Sequence, residues 1–193
     1  VRFFLLEDYD IPLTKRYAYI ETDGSQYVET SFIPSGHSAV EMQLSLNKVD
    51  SSVALCCART DNPNSFTVFY ITGSGWRFDY YNVGSAVGPV AEVNKPYALR
   101  LERNGIYLDG SCLSSRTPVS KVSGRSLLLF GAKNGNEPLN AEYKASMKLY
   151  SMKAWRDSAD ANSIALDLIP TEHEGEACLY NKIDGTFLKS AMS

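Results

Sequence analysis

The sequence predicts an all-β chain folded as an antiparallel sandwich of two packed sheets. Three observations predict it. Apolar and polar residues alternate with a period of two in short segments, and clusters of Gly, Pro, Asn and Asp punctuate those segments. No window of helical length carries a sustained i, i+3, i+4 apolar stripe, whereas a βαβ fold would need several. The chain has 193 residues, 44% of them hydrophobic, with 12 Tyr, 8 Phe and 2 Trp, enough to bury one core. A single domain over residues 17–193 is expected.

The elements follow in order. Residues 1–16 differ from the rest, an apolar Arg2-Phe3-Phe4-Leu5-Leu6 run followed by acidic Glu7-Asp8-Tyr9-Asp10, and read as an N-terminal extension or an edge strand. Gln26–Thr30 is the first strand. In His37–Lys48, Val40, Met42, Leu44 and Leu46 share one face and Glu41, Gln43, Ser45 and Asn47 the other, as in a half-buried strand. Val53–Arg59, Ser65–Thr72 and Gly75–Asn82 follow, separated by turn residues such as those of Thr60–Asn64. Tyr97–Asn104 runs into an Asn104-Gly105 turn, Ile106–Leu108 resumes the strand, and Asp109-Gly110 punctuates it again. Ser126–Ala132, Ala145–Arg156, Ile164–Ile169 and Ala177–Tyr180 complete roughly a dozen strands. In the Ala145–Arg156 strand, Tyr150 and Met152 are expected to face the core together. Asp157–Asn162 reads as a loop, and Asp184-Gly185 as a hairpin turn.

Composition narrows the function. A net charge of −3 with dispersed charges leaves no basic footprint for nucleic acid. No apolar stretch approaches the roughly 20 residues that span a bilayer. A first residue of Val1 rather than Met is what a mature secreted form or an excised piece of a longer polypeptide shows. The four cysteines, Cys56, Cys57, Cys112 and Cys178, lack C-x-x-C spacing and read as buried hydrophobes, with a Cys112–Cys178 bridge left open.

Three segments carry a resemblance. YIETDGSQYVETSFIPS (19–35) resembles the "YIESTGTQYIDTGYIPT" opening of concanavalin A-like, or laminin G-like, modules of gut-bacterial surface proteins and phage structural proteins. ALCCARTDNPNSFTVFY (54–70) is similar to that family's "GAR…F" strand pair. MKLYSMKAW (147–155), followed by LDLIPTEHEGEACLYNKIDGTF (166–187), resembles its ending. The resemblance implies a jelly-roll sandwich with glycan binding, on an extracellular or cell-surface protein, with a phage particle as the alternative location.

The chemistry is sparse. Glucanases of this fold set paired carboxylates on one strand as E-x-D-x-x-E, an arrangement absent here. Glu172, Glu174 and Glu176 fall near Pro170 and Gly175, where a loop is expected. His37 and His173 have no nucleophile motif beside them and read as surface residues, so no catalytic or metal site is assigned. Asp61, Asn62 and Asn64 offer oxygen ligands suited to calcium, yet turn formation explains the same residues, and no cofactor is expected. Glycan binding needs aromatic surfaces and hydroxyl-orienting polar groups. GWRFDYYN (75–82) puts Trp76, Phe78 and Tyr80 on one face, expected in the core, and Arg77, Asp79 and Tyr81 on the other. With Arg59 and Asn64 as neighbours, these five, Arg59, Asn64, Arg77, Asp79 and Tyr81, are the candidate ligand-binding set. The sequence thus favours a non-catalytic carbohydrate-binding or adhesion module. The alternatives are a structural or protein-interaction module of a phage or multidomain surface assembly, and an unusual glycoside hydrolase.

Overall fold

The computed structural model describes residues 15–61, 64–81, 83–133 and 143–192, the side chains of residues 83–87 and 192 excepted. Among the described residues there are seventeen strands: β1 (Lys15–Arg16), β2 (Ile20–Asp23), β3 (Gln26–Glu29), β4 (Ala39–Leu46), β5 (Val53–Asp61), β6 (Asn64–Ile71), β7 (Gly75–Tyr80), β8 (Val83–Val87) and β9 (Pro96–Glu102). They continue with β10 (Gly105–Leu108), β11 (Ser111–Ser115), β12 (Leu128–Leu129), β13 (Ser146–Trp155), β14 (Ile164–His173), β15 (Glu176–Asn181), β16 (Phe187–Lys189) and β17 (Ala191–Met192). One sheet has ten strands, ordered β11-β10-β9-β4-β13-β14-β15-β16, with β2 paired to β13 and β1 to β14. The other has seven, ordered β17-β3-β12-β5-β6-β7-β8. All pairings are antiparallel, and the described residues contain no α-helix. This is the jelly-roll sandwich that the strand pattern and the family resemblance together imply.

Alternation builds the core. Val40, Met42, Leu44 and Leu46 of β4 are each at most 1% exposed, and they stand opposite Leu101, Leu99 and Tyr97 of β9 and Ala154, Met152, Leu149 and Met147 of β13. From the other sheet, Cys56, Val68 and Phe78 form one cross-strand row, and Ala58, Phe66 and Tyr80 the next. These two inner faces make one apolar cluster. Trp76 of β7 and Tyr97 of β9 close it from opposite sheets, ring centroids 5.1 Å apart and edge to face, the favoured aromatic arrangement.

Several expectations are corrected. A bulge between Leu149 and Ser151 resets the alternation of β13, so Met147, Leu149, Met152 and Ala154 face inward while Tyr150 faces out. Tyr150 there meets Ser45 through the hydroxyls at 3.2 Å and Tyr19 edge to face. Glu172 and Glu176 lie in strands, not in a loop: β14 runs through Pro170 to His173, and Glu174-Gly175 form a two-residue turn with positive φ at both positions. Pro170 is tolerated because it falls where β14 changes neighbour, past Leu168 opposite Met152 and before Thr171 opposite Arg16, so its missing N–H breaks no ladder. Ser126–Ala132 shrinks to the two residues of β12, since Phe130 turns away at φ 70°.

The Cys112–Cys178 bridge is excluded. Cys112 is on β11 and Cys178 on β15, six strands apart in one sheet, which at ~4.8 Å per strand is about 29 Å. All four cysteines are free thiols. Of the expected N-terminal extension, Lys15–Arg16 form an edge pairing with Thr171 and Glu172, and residues 1–14 lie outside the described residues.

Candidate functional site

Four of the five candidate residues lie along neighbouring strands of the seven-stranded sheet. Residues whose side chains face the core on β5, β6 and β7 leave their alternates on the outer face: Cys57 and Arg59 on β5, Ser65, Thr67 and Phe69 on β6, Arg77 and Asp79 on β7. The register sets Arg59 opposite Ser65, Cys57 opposite Thr67, Thr67 opposite Asp79, and Phe69 opposite Arg77. Arg77 Nε donates to Asp79 Oδ1 at 2.8 Å, with side chains 46% and 19% exposed. Ser65 and Thr67 share a hydroxyl hydrogen bond of 3.0 Å, and Thr67 Oγ1 donates to Cys57 Sγ at 3.3 Å. Burial pushes the Cys57 thiol up, an effect that the Thr67 bond and the nearby Arg59 charge partly offset.

An aromatic surface adjoins this polar set. Tyr143 is half-buried and stands edge to face on Phe69, centroids 5.4 Å apart, in a small outer apolar cluster with Ala54, Cys57 and Ala132. Sequence reasoning missed Tyr143 because it belongs to no alternating segment. Its role comes from tertiary placement beside Phe69, for which the local pattern has no signal.

Tyr81 requires a correction. It is 2% exposed, belongs to the core, and donates its hydroxyl to the Pro34 carbonyl at 3.0 Å. Strand β7 stops at Tyr80, and a φ of 46° at Tyr81 turns the side chain inward instead of continuing the alternation. Burial, with Tyr80 beside it, pushes its phenol well up. Asn64 does reach the neighbourhood, opening β6 opposite Asp61, but its N–H and Nδ2 both donate to Asp61 Oδ1, at 3.0 and 2.9 Å. That is the turn chemistry of an Asx residue. Asn62 lies outside the described residues, and among the described residues no three His, Cys, Asp or Glu side chains are grouped to hold a metal ion.

The carboxylates weighed for glycoside hydrolysis are engaged in ion pairs. Glu172 accepts the Tyr17 hydroxyl and pairs with Lys15 at 3.6 Å, while Glu174 and Glu176 both pair with Lys189, at 3.1 and 3.0 Å. His173 stacks on Phe187 with centroids 3.9 Å apart.

A second concavity was not foreseen. At one end of the sandwich a cleft of about 620 Å³ is lined by Glu21, Thr22 and Asp23 of β2, Gln26 of β3, Asn47 just past β4, Asn94, and Ser146 at the start of β13. Each of these side chains offers a hydrogen-bonding group. Asn47 falls on the polar face of an expected strand, Glu21 and Asp23 precede the first expected strand, and nothing in the linear pattern brings them to Asn94 and Ser146.

Fold and site together define a two-sheet antiparallel β-sandwich with a polar and aromatic outer face and a polar end cleft. Among solved structures, the chain is similar to a candidate carbohydrate-binding protein from Bacteroides ovatus, at a TM-score of 0.65 and 13% identity. That match covers 93% of this chain and 59% of the other, so the chain spans about three fifths of that protein's length. It is also similar to a heptameric pentraxin from Limulus polyphemus (TM-score 0.46, 9% identity, 75% and 76% of the two chains) and to a Trypanosoma rangeli sialidase (0.47, 14%, 65% and 21%). No family model matches the chain, and no curated protein matches it in sequence.

Proposed function

We propose that this chain is a non-catalytic carbohydrate-binding module of a secreted or cell-surface protein, laminin G-like in type and working without a cofactor. The observation that carries the reading is the juxtaposition on one outer face of a half-exposed aromatic ring, Tyr143 on Phe69, with the charged pair Arg77 and Asp79. A tyrosine ring offers an apolar face to the C–H side of a sugar, and fixed charged groups beside it orient hydroxyls. The likeness in fold to the Bacteroides ovatus protein supports the same reading.

The test is a glycan-array screen of the purified chain with and without calcium, repeated with Tyr143→Ala and Arg77→Ala. Binding to a related set of glycans, weakened at least tenfold in Tyr143→Ala, is the expected result. A clean negative with and without calcium overturns the reading and favours a protein-interaction module.

A further inference from the structure

The end cleft carries chemistry apart from the Tyr143 face: Glu21, Thr22, Asp23 and Ser146 come from β2 and β13 of the ten-stranded sheet, and Gln26 from β3 at the far side of the seven-stranded one. Its volume of about 620 Å³ falls in the range of ~300–1,000 Å³ usual for small-molecule sites. Its polar groups are weighted toward acceptors. Glu21 and Asp23 are carboxylates, which accept only. Asn47 Nδ2 donates to Glu21 Oε1 at 2.9 Å, and because a carboxylate cannot donate in return, this bond fixes which end of the amide is oxygen.

Asn47 Oδ1 is then a buried acceptor that receives no hydrogen bond among the described residues. A buried carbonyl left unpaired costs more than an ordinary hydrogen bond contributes, so such a group is a place where an added donor is rewarded. Asn47 lines the cleft, and Glu21, to which its amide is bonded, is exposed there.

Charge narrows the ligand further. The two formal charges in the lining, Glu21 and Asp23, are both negative. Lys48 lies close enough to act on Asp23 but does not line the cleft. The site therefore repels an anion, and its several acceptors suit O–H donors.

We propose that the end cleft is a second binding site, for an uncharged hexose residue, in which Glu21, Asp23 and Asn47 accept hydrogen bonds from sugar hydroxyls and Gln26 and Asn94 supply donors. It stands or falls separately from the Tyr143 face.

The experiment is an NMR titration of the isotopically labelled chain with glucose, galactose and mannose, and in parallel with galacturonate and glucuronate. The side-chain amide resonances of Gln26, Asn47 and Asn94 are followed. Expected are saturable shifts of these amides with at least one neutral hexose, and at least tenfold weaker binding of the matching uronate. Affinity falls at least fivefold in Glu21→Ala and in Asn47→Ala, the former an exposed position where the fold is safe.

Three results would overturn the proposal: no shift of the cleft amides, equal affinity for uronates, or a strict need for added calcium. Shifts confined to β7 and Tyr143 would remove the second site and leave the carbohydrate-binding reading intact. Silence at both places would remove both.

Discussion

Arg77 and Asp79 are partners within one strand: two positions apart on β7, on the same outer face, they share a hydrogen-bonded ion pair of 2.8 Å. An exposed pair of this kind adds little to stability, because solvent screens it and two side chains must be held still. Arg77→Ala is therefore expected to shift the unfolding free energy by less than about 1 kcal/mol in urea melts. In calorimetric titration against the best array glycan it lowers affinity about tenfold. A larger loss of stability with unchanged affinity would make the pair structural.

Tyr81 behaves in the opposite way. Its ring is packed edge to face against Tyr80, centroids 5.0 Å apart, and its hydroxyl is bonded to Pro34. Tyr81→Ala opens a cavity and is expected to cost about 3–5 kcal/mol, as large-to-small changes of buried aromatics do. Tyr81→Phe removes one hydrogen bond, while the Pro34 carbonyl keeps the Ser123 N–H at 3.1 Å, so the expected cost is about 0.5–1.5 kcal/mol. Denaturant unfolding of both separates ring from hydroxyl. A Tyr81→Ala protein as stable as its parent would show that the ring is not a core residue.

Gly36 marks a close approach of two backbones. Its N–H donates to the Lys121 carbonyl at 2.7 Å, and its own carbonyl accepts the Tyr80 hydroxyl. A methyl group added there would lie 1.7 Å from the Val119 carbonyl oxygen, so the 119–121 segment has to move. Gly36→Ala should lower stability by more than about 2 kcal/mol, the range of steric changes in packed regions. Gly185→Val fails for a different reason, a φ of 75° that a β-branched residue resists. Thermal melts of the two variants check both, and an unchanged midpoint in either refutes the corresponding contact or turn.

Acid should weaken the β15–β16 turn. The Thr186 hydroxyl and N–H both donate to Asp184 Oδ1, at 2.7 and 3.0 Å, and hold this carboxylate below its ordinary range, the hydroxyl being the larger cause. A folded-state pKa below the unfolded one gives stability that is full above about pH 4 and lost as pH falls through the folded value. Asp184→Asn, which cannot ionise, is thus expected to melt lower than the parent at about pH 7, with the gap narrowing at about pH 2.5. A gap independent of pH would assign the loss to geometry alone.

The thiols should divide one against three. Cys112 is exposed, whereas Cys56, Cys57 and Cys178 are buried, and burial pushes the Cys56 thiol up to about 12. Thiolate is the reactive form, so a thiol reagent near neutral pH is expected to label Cys112 at once and the others only after unfolding. More than one fast thiol in the native protein would contradict the packing around β5 or β15.

The strands were legible where one face is apolar and the other wet, as in β4 and β9, because burial on one side writes a period of two directly into the residues. Legibility failed where tertiary structure alters that period. The bulge at Tyr150 turns that side chain to the surface while Met152, expected to face the core with it, stays inside, and neither side chain announces the extra residue. Strand β11, with Ser111, Cys112, Ser114 and Ser115 as its polar members, is held by its pairing with β10 and not by burial. Of the candidate site, Arg77 and Asp79 followed from alternation, and Arg59 entered only as an expected neighbour. Tyr81 did not, because the backbone leaves the strand at that residue. Tyr143 and the end cleft depend on which loops meet, which local sequence does not encode.

The pairing of Ile20 with Leu149 and of Lys15 with Glu172 ties the first strands of the ten-stranded sheet to nearly its last. On a ribosome, β2 has no partner until β13 has been made, on the order of 10 s later at ~5–20 residues per second. Until then strands already synthesised, β4 and β5 among them, have apolar faces and open edges that stray neighbours can capture. The domain is therefore one that matures only once β13 and β14 have emerged. A chain stopped within β14 would be a target for chaperones and proteases in place of a smaller working module.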